Sequence, residues 1–292
     1  MTTASLALPV ARLGWRRIAP WLATGLAFSV LFAEPFTLLV RDWWHDPEAQ
    51  HGLLLGPVAV FVAWRRGLAP GARAQPALGL GLLASAVALR YAAGLAAELF
   101  TLRLSMVAAL VALVVFAWGV RQAVHWWLPF TLLVLSVPLP AVVINSLALP
   151  LQFQASALGA ALLEWRHVPV HLAGNVIQLP DRALFVTEAC SGLRSLSALV
   201  ALGVVVGGLW HRSPWSRVTL VLLAIATAII LNGVRIFLTG YIAFWIDPTL
   251  VDGFLHYTEG WAVFLAALGF LAAFSLVLRQ LEARGRGVKC ST

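Results

Sequence analysis

AVVINSLALPLQFQASALGAALL, residues Ala141–Leu163, is the stretch whose reading decides the fold. It is apolar enough to cross a bilayer, which takes about 20 residues. It also carries Asn145, Gln152 and Ser156 near helical spacing, with Pro150 in its middle. Its neighbours in sequence decide between the two readings. Other apolar stretches mark spans at about 18–40, 51–64, 77–97, 103–120, 124–144, 190–210, 217–243 and 256–278. With the N-terminus inside, the inner segments hold Arg12, Arg16, Arg17, Arg65, Arg66, Arg73, Arg121, Arg212, Arg217, Arg279, Arg284, Arg286 and Lys289. The outer segments hold only Arg41, Arg103, Arg166 and Arg182. That bias orients the chain. A ninth span at 141–163 would move the Arg212/Arg217 loop and the basic tail outside, with no later segment to restore parity. The expectation is therefore eight transmembrane helices, the latter part of 141–163 lying along the outer face as an amphipathic helix. A buried re-entrant helix is the alternative.

Composition agrees with an all-α membrane protein. Of 292 residues, 61% are hydrophobic and 11% charged, against about 25% charged in soluble domains. No polar region is long enough for a soluble domain, so residues 1–292 read as one membrane-embedded unit with a basic cytoplasmic tail at 279–292. The first apolar run, behind Arg12, Arg16 and Arg17, continues to about Val40. That is too long for a signal peptide and reads as an uncleaved span. The net charge of +8 belongs to basic inner loops rather than to nucleic-acid binding. Two cysteines make no disulfide framework. Cys290 falls in the inner tail.

Residues 164–188 form the longest polar outer segment. Val168–Val170, Val176–Leu179 and Leu184–Val186 are β-prone, and Gly174-Asn175 is a hairpin-turn signal. A short β-hairpin is expected there, delivering the chain to Thr187 as N-cap of the sixth span. Arg90, inside the third span, is expected to snorkel or to pair with Glu98.

Val186–Leu196 reads V-T-E-A-C-S-G-L-R-S-L. Topology puts Cys190 at the outer start of the sixth span, Arg235 near the outer third of the seventh and His256 at the outer start of the eighth. Three residues of catalytic type thus share one depth on sequence-adjacent helices. A thiol has a pKa of about 8.5, lowered by a helix N-terminus or a nearby cation. His256 is the imidazole placed to carry a proton. An intramembrane arginine such as Arg235 is a functional candidate by default. It is suited to an oxyanion or a substrate carbonyl. Helical spacing puts Arg194 one turn below Cys190. Glu188 and Glu259 are placed to balance and orient the cations. Ser191, Asn232 and His51 are polar neighbours of supporting or substrate-binding type. No spacing supports a metal site, and no cofactor is implied.

At these residues the chain resembles the exosortase/archaeosortase family of multi-span cysteine transpeptidases. Asp46–Pro57 (D-P-E-A-Q-H-G-L-L-L-G-P) is similar to the family's early segment, with Gln50 where a serine is common. Pro138-Leu139-Pro140 and Leu149–Ala155 resemble its middle. Gly174-Asn175-Val176-Ile177, E-A-C-S-G-L-R, Asn232-Gly233-Val234-Arg235 and His256 with Gly260-Trp261 complete the match. The resemblance runs from about 46 to 265 and implies a catalytic part at 164–265, with Cys190 as nucleophile and Arg235 and His256 completing the site. It implies, as substrates, membrane-anchored proteins with a C-terminal sorting signal: a Pro-Glu-Pro-like motif, one transmembrane helix and a basic tail. It also implies a thioacyl intermediate passed to a cell-surface acceptor or to water. The expected location is the cell inner membrane, both termini cytoplasmic, with the site near the outer face. Two other classes stand beside it: a transporter binding an anion at Arg235, and a non-catalytic assembly factor for polysaccharide export. Clustering of polar residues at the outer end, without matched broken helices, argues against the transporter.

Overall fold

The computed structural model describes residues 15–180, 182–187, 191–246 and 254–289, and the side chains of these except 15–17, 254–259 and 285–289. Helices α1 (Trp15–Leu31) and α2 (Ala33–His45) fill the first expected span but meet at 65°. The bend has a local cause. Pro35 has no N–H, and in a continuous helix its ring would strike the carbonyl of Leu31. Helix α3 (Gly52–Arg66) has 15 residues and stops at Gly67, whose φ is 61°. At about 22 Å it is shorter than a hydrocarbon core of about 30 Å.

Helices α4 (Pro76–Leu95) and α5 (Leu99–Trp118) form an antiparallel hairpin. A Cβ on Gly79 would collide with the backbone of Phe116, so the two axes meet closely there. Glu98 caps α5, accepting from the N–H groups of Phe100 (3.0 Å) and Thr101 (2.6 Å). The carboxylate expected to pair with Arg90 is therefore used as a cap. Arg90 pairs instead with Glu34 of α2 at 3.7 Å, and its guanidinium lies over the Phe32 and Tyr91 rings. Asp42, two turns along α2, pairs with the buried Arg103 of α5 at 2.6 Å. Two acids on one face of α2 thus fasten it to the α4–α5 hairpin.

The expected span at 124–144 is not one helix. The chain forms α6 (Val120–His125), breaks at Trp126, and forms α7 (Trp127–Leu135). It then turns through Ser136–Pro140 before α8 (Ala141–Trp165). Pro138 and Pro140 disfavour helix in the residues before them, which ends α7 early. The break is tied down: Trp43 Nε1 donates to the carbonyl of Ser136 at 2.7 Å.

Helix α8 runs unbroken through Pro150 for 25 residues. Asn145 and Gln154 are exposed, but the other two positions of the Asn145, Gln152 and Ser156 stripe turn inward, opposite to the amphipathic surface helix expected. Gln152 and Ser156 are buried, whereas Leu147, Leu149 and Phe153 are exposed. Gln152 is turned to the protein because Asn175 supplies its partner, while Ser156 Oγ donates to the carbonyl of Gln152 within the helix; an unpaired amide facing lipid is costly. By length and composition, six described helices are able to cross a membrane: α4, α5, α8, α9 (Leu193–Trp210), α10 (Pro214–Trp245) and residues 260–284 of α11 (Phe254–Lys289). The α1–α2 pair adds a seventh if counted as one span. Relative to the eight expected, α3 is too short, the fifth span is broken, and α8 is added.

Strands β1 (His171–Ala173), β2 (Val176–Leu179) and β3 (Arg182–Phe185) form an antiparallel sheet in that order. The Gly174-Asn175 turn is where the sequence puts it, with Gly174 at φ 65°. The sheet gains a third strand over the expected hairpin because Ile177 pairs with both Leu172 and Leu184. Its buried side, with Ile177, Leu179 and Val186, packs on Ala155, Ala160 and Leu163 of α8 and Ile236 and Ala243 of α10. Each such fully buried large side chain contributes about 1.5–3 kcal/mol when drawn from water.

Helices α9 (Leu193–Trp210), α10 (Pro214–Trp245) and α11 (Phe254–Lys289) close the bundle near the expected places. Leu199, Leu220, Ala224, Ala228, Ala267 and Leu271 form their shared core. The 32 residues of α10 make it about 48 Å long, so roughly a third exceeds the hydrocarbon thickness. The sheet packs on that last third.

Candidate active site

One turn of α10, Asn232 to Arg235, lies between the start of α9 and the first turns of α11. Gly192 precedes α9 with φ 77°, a left-handed conformation that side chains rarely adopt. A Cβ there would stand 2.6 Å from Asn232 Cγ, so only glycine lets the loop lie against α10. Asn232 is buried. Arg235, one turn further on, is half-buried. Its Cζ and Nη2 lie 3.9 Å from where a Cβ on Gly260 would stand. The guanidinium therefore rests on α11 at a residue one turn beyond His256. The same turn of α10 touches the start of α9 on one side and the first turns of α11 on the other.

The start of α9 is locally encoded. Ser191 is buried, and its Oγ accepts from the N–H of Leu193 at 3.3 Å. Ser195 Oγ donates back to the carbonyl of Gly192 at 2.8 Å. This corrects the expected N-cap. Helix α9 begins at Leu193, with Gly192 rather than Thr187 at its N-cap. The left-handed Gly192 interrupts helical spacing, so the rule that put Arg194 one turn below Cys190 on the same face does not apply. Arg194 is exposed in the first turn of α9.

Cys190 and Glu188 lie outside the described residues. His256 and Glu259 fall in the first two turns of α11, and their side chains lie outside the described ones. His51, at the head of α3, is bonded elsewhere: its Nε2 stands 3.2 Å from the carbonyl of Leu135 at the end of α7. A carbonyl only accepts, so this bond puts the ring proton on Nε2.

Sequence reasoning missed Asn175 as more than a turn residue. Its Nδ2 donates to Gln152 Oε1 of α8 (3.1 Å) and to the carbonyl of Val186 (3.1 Å). Its own carbonyl accepts from the N–H of Val186 at 2.9 Å. One asparagine thus joins the hairpin turn, α8 and the strand exit that leads to Thr187. The signal was Gln152, an amide in an apolar helix, since a buried amide needs a partner.

The family model of the transmembrane exosortases (Exosortase_EpsH) matches residues 43–273. That interval takes in α3 to α10, the sheet and most of α11. No curated protein and no solved structure matches the chain. With the match covering most of its length, and the N-G-V-R turn of α10 meeting both flanking helices inside it, the chain belongs to the transmembrane exosortase family.

Proposed function

We propose that this protein is a membrane cysteine protease and transpeptidase with Cys190 as nucleophile, Arg235 as oxyanion partner and His256 as proton carrier. Exosortases are multi-pass membrane proteins with a sorting transpeptidase function. The single observation that carries the assignment to residues is the Asn232–Arg235 turn, which touches both Gly192 and Gly260. Cys190 is two residues from Gly192, about 7 Å of chain at most. His256 is one helical turn from Gly260. Both are within reach of Arg235.

The chemistry follows from these groups. The Cys190 thiolate attacks the scissile carbonyl carbon, and the carbonyl π electrons move to oxygen. Arg235 faces that oxyanion, a role worth about 3–4 kcal/mol for one good donor. Collapse breaks the C–N bond, and His256 gives its proton to the departing amine. The thioester is then attacked by an acceptor amine or by water, which gives its proton to the now neutral His256, and the thiolate leaves. Glu188 and Glu259 balance the cations. Ser191 and Asn232 fix the loop, and Arg194, being exposed, meets substrate.

The substrates are membrane-anchored proteins with a C-terminal sorting signal, cut at the outer face of the cell inner membrane. The basic side chains Arg65, Arg66, Arg121, Arg212 and Arg217 at the opposite end of the bundle support that orientation. The test is processing of a tagged substrate. Cys190→Ala and Cys190→Ser abolish it while the protein stays inserted. Full processing by the alanine variant would exclude the mechanism.

A further inference from the structure

The end of the bundle opposite the Asn232–Arg235 turn carries two arginines without a carboxylate. Arg66, the last residue of α3, donates from Nη1 to the carbonyl of His125 (2.9 Å) and from Nη2 to that of Gly208 (3.1 Å). Arg217, in the first turn of α10, donates from Nε to the carbonyl of His211 at 3.0 Å. Both guanidiniums gather on one ring, with Cζ 5.6 Å and 5.0 Å from the centroid of Trp127. Among the described residues the ion pairs are Arg90–Glu34, Arg103–Asp42 and His211–Glu282, so neither arginine has an acid within 4.0 Å. Glu282, the acid on this end, is turned to His211 Nδ1 and to the N–H of Ser213.

Two unit charges therefore face neutral acceptors. Gly208 and His211 lie at the C-terminal end of α9, whose dipole offers only about half a negative charge. A guanidinium has five N–H donors. Arg66 commits two to carbonyls and Arg217 one, and neither side chain is among those with a buried nitrogen lacking a partner. The remaining donors are open to a ligand. An anion with several acceptor oxygens matches this fork geometry better than any single carbonyl.

The surroundings say where that anion comes from. Trp64, Trp210 and Trp215 flank the pair in sequence and are 76%, 58% and 78% exposed. Exposed tryptophans at helix ends belong at the headgroup level of a bilayer.

We propose that Arg66 and Arg217, gathered on Trp127, bind the phosphate of an anionic phospholipid. The site joins α3, α7 and the α9–α10 turn through one headgroup, and it stands independently of the catalytic reading.

The test is native mass spectrometry of the full chain in detergent, titrated with phosphatidylglycerol, phosphatidylcholine or inorganic phosphate. Phosphatidylglycerol binds with defined stoichiometry, and neither phosphatidylcholine nor inorganic phosphate does at the same concentrations. R66Q and R217Q each weaken that binding about fivefold. The double variant R65Q/R212Q removes two exposed arginines from the same end and leaves binding intact. Equal binding of phosphatidylcholine, equal occupancy by inorganic phosphate, or equal loss in R65Q/R212Q would each overturn the proposal. The wild-type titrations decide it even if R66Q does not fold.

Discussion

Gly192 lies so close to Asn232 that a Cβ on the glycine would stand 2.6 Å from the asparagine's Cγ. That contact fixes the residue before α9 on α10 one turn from Arg235. Gly192→Ala adds a clash to a left-handed residue, itself a cost of about 1–2 kcal/mol. The loop shifts while the rest of the bundle keeps its packing. We expect processing to fall at least tenfold with unchanged membrane insertion. Asn232→Ala in the same chain removes the Cγ and Nδ2 contacts but leaves the residue-232 Cβ at 2.9 Å and the backbone strain in place, so it restores at most a small part of the loss. Measuring processed substrate for the single and double variants checks both expectations.

Asn175 and Gln152 form a hydrogen-bonded pair beside the exit of β3. Asn175→Ala leaves Gln152 Oε1 and the carbonyl of Val186 short of a donor, costing about 1–3 kcal/mol. Gln152→Leu in the Asn175→Ala background removes one orphan and recovers part of that cost. A double-mutant cycle on thermal unfolding in detergent should give a coupling of about 0.5–3 kcal/mol. Additive losses would mean the pair does not act as a unit.

The Arg103–Asp42 pair is asymmetric. The Arg103 side chain is 5% exposed and that of Asp42 is 31% exposed. Removing the acid strands a buried cation. Removing the arginine leaves a carboxylate that water reaches. Asp42→Ala should therefore destabilise by about 3–5 kcal/mol, and Arg103→Met by clearly less. Urea or thermal melts in detergent decide the order.

Glu98 lies between α4 and α5, outside both helices. Its hydrogen bonds with the Thr101 side chain and backbone and the Phe100 N–H hold its carboxyl below the usual value. A depressed folded-state pKa means the charged form is the one the fold favours. The cap's contribution is present above the ordinary glutamate pKa of about 4.3 and is lost as pH falls through the lower folded value. Glu98→Ala should cost about 1 kcal/mol at pH 7. The difference in melting temperature between wild type and Glu98→Gln should narrow between pH 5 and pH 3, values chosen to bracket about pH 4.3.

Much of this was legible in the chain, for identifiable reasons. Long apolar runs between arginines located α4, α5, α9, α10 and α11, because bilayer thickness sets their length. Gly174-Asn175 located the hairpin turn, because few residues accept that backbone. Pro35 and the Pro138/Pro140 pair were visible too, yet hydropathy averages over them, and the breaks after Leu31 and Leu135 were read as continuous spans. Helix α8 misled for a different reason. Gln152 looks like part of a solvent-facing stripe until its partner, Asn175, is known. Arg90 chose Glu34 over the nearer Glu98 because Glu98 is the N-cap of α5, a competition that sequence distance does not reveal. The spacing from Cys190 to Arg194 rests on a helix through Gly192, which is left-handed, a feature no helical wheel anticipates; Cys190 itself lies outside the described residues.

The account's central claim is that the sulfur of Cys190 takes the substrate's acyl group. The direct measurement is mass spectrometry of the full chain after incubation with a sorting-signal peptide, with acid quenching to preserve a thioester. We predict an acyl adduct on Cys190, none on Cys290, and none in Cys190→Ala. An adduct on another residue, or continued processing by Cys190→Ala with no adduct at all, would contradict it.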